Sequence, residues 1–238
     1  MNVTRALVCV PCLWIGISFS ITAQNFNYEQ DFEDFLTRAQ DPQHEFFYPS
    51  LLARFNQGDT TLNNRAMLHL LVGFTSMDEF KPYEYIRKER EIYNWVEENE
   101  YEKALESADS LLAKVPVSQQ TILSKAAALY YLERPEESGL EIRKFQMIME
   151  AMAWSGDGTS PETAFFALGP ADGQNFIQIF LGQSIGTMGS GSDQYGNFVD
   201  ILEMVFTDEN GEEKAVPVYF QIEHASKSLK EMLKISEN

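Results

Sequence analysis

The hydrophobic pattern changes period near Gly156 and Gly158, and that change limits what the chain can fold into. Upstream, apolar residues recur at the helical spacing of about 3.6; downstream they alternate with a period of about 2. Neither an all-helical nor an all-strand architecture fits such a switch. The order predicts an α+β fold: N-terminal and central helices, then a C-terminal antiparallel sheet of about four strands.

The helical part divides in two. Residues 24–85 begin with a helix over Phe26 to Ala39, whose apolar positions 26, 28, 32, 35, 36 and 39 share one face. Asp41-Pro42 ends it. A short helix is predicted at Ser50–Phe55, and another from Leu62 to about Phe74 with Thr60 or Thr61 as cap. Phe80-Lys-Pro-Tyr-Glu-Tyr85 is a linker. Residues 86–153 then read as four helices joined by short turns. Tyr101, Ala104 and Ala108 ahead of Pro116, with Trp95 on the preceding helix, resemble a tetratricopeptide unit, and the next two helices make a degenerate second one.

In residues 154–238, strands are predicted at Ala164–Leu168, Phe176–Leu181, Asp200–Thr207 and Glu212–Ile222. Gly169 to Gly173 reads as a turn. Asp208-Glu-Asn-Gly211 is a hairpin signal, because Asn-Gly supplies positive φ. Pro217 cannot donate to a ladder, which favours an edge or an outward-facing position. Gly186 to Asn197, with four glycines, reads as a mobile loop. A closing helix is expected over Ala225–Lys234.

The segment Ser155-Gly-Asp-Gly158 looks chemical, but the standard loop chemistries do not fit it. A phosphate loop needs a lysine after the last glycine, and none stands after Gly158. A calcium loop counted from Asp157 would need glycine at its sixth position, where Glu162 stands, and glutamate at its twelfth, where Leu168 stands. A looser cation site of Asp157, Thr159 and Glu162 survives as the weak metal candidate. The plainer reading is a joint. Gly156 stops a helix and Asp157-Gly158 turns the chain. Either Ser160 before Pro161 or Thr159 with Glu162 then caps the next element.

No other set stands out. His44, His69 and His224 share no ligand spacing, and His69 sits between leucines as a packed or capping residue. Gly182-Gln-Ser-Ile-Gly186 lacks the nucleophile-elbow spacing. Among 36 acidic residues, pairs such as Glu97 with Glu98 or Asp157 with Asp172 carry no distinguishing signal. No cofactor motif occurs, so no catalytic residue and no cofactor is assigned. Trp95 and Tyr130 on the helices, with Asp193 and Tyr195 in the glycine-rich loop, form the candidate binding surface.

Composition bears on export and partners. Met1 to Ala23 has a basic Arg5, an apolar run over Ala6 to Phe19 and a small residue at its end, the pattern of a cleaved signal peptide. The run is broken by Pro11 and Gly16, too early for a membrane span. Cys9 and Cys12 both lie inside it and neither suits lipidation, so the mature chain has no thiol and no lipid anchor is expected. Removing Arg5 with the leader leaves 17 basic against 36 acidic residues. Such a field repels nucleic acid and anionic lipid. A mature chain of 215 residues needs no disulfide to build a core.

Several stretches resemble the family of secreted bacterial proteins known as domain of unknown function 4919, common in Bacteroidetes. They are Phe47-Tyr-Pro-Ser-Leu-Leu-Ala-Arg-Phe-Asn-Gln-Gly-Asp-Thr-Thr61, Phe80-Lys-Pro-Tyr83, Tyr101-Glu-Lys-Ala104, Ser155-Gly-Asp-Gly158 with Glu162-Thr-Ala-Phe165, and Val218-Tyr-Phe220. The resemblance implies one family domain over 24–238 and export from a Gram-negative cell. It implies no reaction. The expected role is recognition of an envelope protein or glycan through the groove of helices 86–153. A carboxylate- or cation-dependent envelope hydrolase near Asp157 is the alternative, and a structural envelope component is a third.

Overall fold

The computed structural model describes residues 25–236, and the expected leader lies outside them. Helix α1 spans Tyr28–Gln40. Asn27 caps it by accepting from Gln30 N, while Asp31 accepts from Asn27 N at 2.7 Å, so two end groups are satisfied reciprocally. Helix α2 is Tyr48–Asn56, with Pro49 in its first turn. Helix α3, Asn64–Phe74, is buried from Ala66 to Phe74 and packs against α1 and α2. A helix apolar on every side belongs inside. Its cap is Asn63 rather than Thr60 or Thr61. Asp59 takes the backbone N–H and hydroxyl of Thr61 and pairs with Arg54 at 2.7 Å, so that threonine is committed to the turn.

The four central helices are α4 (Ile86–Glu97), α5 (Tyr101–Leu112), α6 (Gln119–Tyr131) and α7 (Pro135–Ser155). Short connections make each the hairpin neighbour of the next, and α4 also touches α6. Fully buried Ala104 and Ala108 let α5 lie close to its neighbours. An ionic chain crosses three of them: Lys125 of α6 lies 2.8 Å from Asp109 of α5 and 3.0 Å from Glu141 of α7, and Lys144 sits 3.2 Å from Glu141. The longer α7 also packs on α3, so one apolar core runs through both helical parts.

After Ser155 come β1 (Phe165–Phe166), α8 (Pro170–Asn175), a π-helical turn over Phe176–Phe180, β2 (Ser184–Ser192), β3 (Phe198–Thr207), β4 (Glu213–Gln221) and α9 (Glu223–Ser236). The sheet order is β1-β4-β3-β2. Its three long strands are antiparallel, and the short β1 runs parallel to β4, which makes the sheet mixed. The α+β layout therefore holds, with two exchanges inside it.

Phe176–Phe180 is helical, not a strand, and Gly169 to Gly173 opens a helix rather than only turning. Pro170 stands in the first helical turn and Asp172 accepts from Gly169 N, two start signals that a short apolar run cannot override. The displaced strand is β2, built from most of the segment expected to be a loop. It pairs with β3 alone, so its outer side needs no bulky side chains and tolerates glycine. Only Asp193 to Asn197 is left as the connecting turn.

The β3–β4 hairpin forms at the expected place. Gly211 takes φ 81°, and Asp208 accepts from the N–H groups of Asn210 and Glu212. Pro217 pairs opposite Glu203 and points its nitrogen to the side of β4 away from β3. Strand β1 ends short of it, so no ladder donor is missed.

Candidate functional site

The joint segment comes first. Ser155 Oγ donates to Met152 O at 2.6 Å and accepts from Phe166 N at 2.8 Å, tying the end of α7 to β1. Gly156 is extended, and a β-carbon there would run into the carbonyls of Thr163 and Ala164. Gly158 has φ +67°. Its carbonyl accepts from Tyr219 N at 3.0 Å, fastening the loop to the open side of β4.

One oxygen of Asp157 receives Thr159 N (2.9 Å), the Thr159 hydroxyl (2.7 Å) and the Thr163 hydroxyl (2.6 Å). Burial pushes its pKa up, but these donors outweigh it and hold the carboxyl below its usual value. Ser160, not Thr159, caps the single turn Pro161–Thr163. With the Thr159 hydroxyl donating to Asp157, the weak candidates Asp157 and Thr159 are engaged with each other. No group of three His, Asp or Glu side chains suited to a metal occurs among the described residues.

The glycine-rich segment does approach this joint. Asp193 and Tyr195 border a small cleft with Phe26 to Glu29, Pro161, Glu162, Ala164 and Gln221. Its volume is about 10 Å³, room for one water. Asp193 is used in the turn, accepting from Tyr195 N, Asn197 N and Asn197 Nδ2 at 2.9 Å each. Tyr195 is exposed beside it.

A larger cavity, about 60 Å³, opens where the helical hairpins meet the sheet part. Its walls are Phe74, Phe80, Pro82, Tyr85 and Ile86 on one side, and Val115, Val117 and Leu168 on the other. Two carboxylates enter it, Glu89 from α4 and Asp172 from α8. Glu89 Oε1 lies 2.6 Å from the hydroxyl of Ser118, the cap of α6. Asp172 Oδ2 accepts from Leu168 N (2.9 Å) and Gly169 N (3.2 Å), while Oδ1 takes no hydrogen bond among the described residues.

No ion pair involves Glu89 or Asp172 among the described residues, and the lysine that lines the cavity, Lys81, faces Glu84 at 4.0 Å. Burial and then the neighbouring Glu89 push Asp172 up to about 7. Burial also raises Glu89, against the lowering effect of Ser118. Loss of water and mutual repulsion both favour the protonated acid. Of these two only Asp172 is named from the sequence, in a pair with Asp157 that carries no distinguishing signal, and Asp157 does not line this cavity. Glu89 has one visible signal: it stands three and seven residues before Ile92 and Val96, on the buried stripe of α4.

Phe80-Lys-Pro-Tyr83, whose first three residues line the cavity, and the joint Ser155-Gly-Asp-Gly158 are two of the stretches on which the resemblance rests, and Tyr219 between Val218 and Phe220 bonds to the second. The family model covers residues 35–233. The chain belongs to the family described as a domain of unknown function, DUF4919. No curated protein and no solved structure matches it.

The other candidate residues of this DUF4919 chain line neither cavity. Trp95 is half-buried between Lys88 Nζ at 4.7 Å and Lys103 Nζ at 4.5 Å from its ring centre, a double cation–π contact. Tyr130 is exposed and meets Tyr131 edge-on at 5.6 Å. His69 is packed, stacked between Phe35 (3.8 Å) and Phe46 (3.9 Å), with Nδ1 2.8 Å from Arg65 O. Burial lowers its pKa to about 4. His224 lies against Phe166 at 4.7 Å, and burial lowers it to about 3.

Proposed function

We propose that this is an exported, non-enzymatic recognition protein of the cell envelope, periplasmic or extracellular, which takes a substituent smaller than a sugar ring, from a protein or glycan partner, into the cavity beside Glu89 and Asp172. The signal-like leader and the resemblance to secreted proteins support export. Of the hairpins read as tetratricopeptide-like, α4 (Ile86, Glu89) and the α5–α6 connection (Val115 to Ser118) line the groove, and Leu168 to Asp172 lines it from the sheet part.

One observation carries the reading. Two partly buried carboxylates line one cavity, neither is ion-paired among the described residues, and the lysine on the rim, Lys81, faces Glu84 instead. Buried charge is costly unless paired, so an arrangement of this kind is expected where a ligand completes it. A hydrolase has one observation in its favour: neighbouring acids with raised pKa values resemble an acid–base pair. The volume argues against it, since about 60 Å³ holds on the order of five water positions and no sugar ring. Around Asp157 the carboxylate is occupied by its own loop.

A thermal-shift panel of small cationic, neutral and anionic compounds tests the recognition reading. Ala171 borders the cavity and is exposed, so Ala171→Trp serves as a plug. At least one class is expected to raise the melting temperature of the wild type and not of the plugged variant. A panel in which no compound shifts the wild type sinks the reading.

A further inference from the structure

We infer that the cavity between α4 and α8 is a seat for a primary alkylammonium group, held by the carboxylates of Glu89 and Asp172 and by the aromatic wall around them. This rests on the recognition reading and names its ligand chemistry. Three features select the class. The first is sign: Glu89 and Asp172 both line the cavity, no cation pairs with either among the described residues, the rim lysine Lys81 faces Glu84, and Asp172 Oδ1 has an unused acceptor. An ammonium brings three donors and one positive charge.

The second is the wall. Phe74, Phe80 and Tyr85 offer ring surface, and Ile86, Val115 and Val117 offer aliphatic surface. A short alkyl chain matches it, and ring faces attract an ammonium further once water is excluded. A calcium ion needs six or more oxygens in place of hydrocarbon, and this wall does not supply them. The third is size. About 60 Å³ takes on the order of five heavy atoms, the length of a lysine side-chain end or a free butylamine. A guanidinium needs a planar fork of acceptors, whereas here Asp172 presents one open oxygen and Glu89 has Oε1 engaged by Ser118.

The test is titration calorimetry of the full chain with butylamine, butanol, calcium chloride and a lysine-bearing pentapeptide. Butylamine is expected to bind, butanol and calcium are not, and Glu89→Gln should weaken butylamine at least about tenfold, the loss of one charge-assisted contact. Glutamine keeps the acceptor facing Ser118, so the variant folds. Asp172→Asn, which keeps an oxygen for Leu168 and Gly169, is the second variant and should weaken binding similarly. Tighter binding of the pentapeptide than of butylamine assigns the ammonium to a protein partner; tighter butylamine assigns it to a free amine. Equal binding of butanol and butylamine, or binding of calcium alone, overturns the ammonium assignment and leaves the recognition reading standing. Butylamine binding untouched by both variants overturns the placement. No binding by any of the four, with a blank small-molecule panel, overturns both.

Discussion

Two regions draw carboxylates away from the surface, fully at Glu141 and partly at Glu89 and Asp172, and they treat them in opposite ways. Inside the hairpins, Glu141 is only 3% exposed, yet two lysines lie within 3.2 Å of it and one of those lysines also holds Asp109. At the cavity between α4 and α8, Glu89 and Asp172 have a serine and two backbone N–H groups but, among the described residues, no paired cation. The first arrangement is closed: every charge has a counter-charge, either on a neighbouring helix or one turn away on its own. The second is open. Stability alone would favour closing or neutralising it, so its open state points to use rather than to packing.

The largest expected effect breaks the closed side. Glu141→Leu leaves Lys144 and Lys125 without their shared partner and should lower stability by about 3 kcal/mol, read as a shift in the urea midpoint. Replacing Glu141 and Lys144 together by apolar residues should recover much of that loss. A double variant no better than the single one would mean the network acts through packing, not charge.

On the open side the effect should reverse. In the unfolded chain Asp172 ionises above its ordinary value of 3.8, whereas folded it keeps its proton up to about 7. Its contribution is therefore full below about pH 4 and is lost as pH rises through 7. Asp172→Asn should thus stabilise the protein at pH 8 by roughly 2 kcal/mol and leave it nearly unchanged at pH 4. A loss at pH 8 would show the carboxylate to be structural and would erase the contrast between the two regions.

The histidines give the opposite slope and must be separated from it. His69 falls from 6.5 to about 4 on folding. Its neutral packing costs nothing above pH 6.5, and stability is lost as pH falls from there toward 4. His69→Leu should flatten that acid limb by on the order of 1.5 kcal/mol between pH 6.5 and 5 while leaving the behaviour near pH 7 to 8 in place. An unchanged acid limb would place the titrating group elsewhere.

The contrast also explains what the sequence made legible. The long helices α4 to α7 repeat their apolar stripe over several turns, so their existence and order could be read directly. Phe176–Phe180 is one apolar cluster that suits either period, and the start signals at Gly169 and Pro170 decided it. Strand β2 lacks an inward apolar row because it is an edge, so its glycines read as a loop. Asp157 drew notice through local glycine punctuation and proved to be a turn acceptor. The Glu89–Asp172 pair is made by packing between distant segments. Among so many acids only the place of Glu89 on a buried stripe marked it, and nothing local paired it with Asp172.

The smallest effect concerns Ser118, which belongs to both kinds of chemistry. Its Oγ accepts from Thr121 N at the start of α6 and also lies 2.6 Å from Glu89 Oε1 and 2.7 Å from the Thr121 hydroxyl. A single hydroxyl proton cannot serve both oxygens, so if it goes to Glu89, Thr121 must donate in turn. Ser118→Ala removes the cap, a loss of about 1 kcal/mol. It also strips Glu89 of its donor, which raises that acid further and brings its protonated state closer to neutral pH. The two effects separate in a double-mutant cycle with Glu89→Gln at pH 8. A coupling on the order of 0.5 kcal/mol is expected if Ser118 supports the ionised Glu89. Strict additivity would reduce Ser118 to a helix cap and leave the ionised Glu89 without a supporting donor.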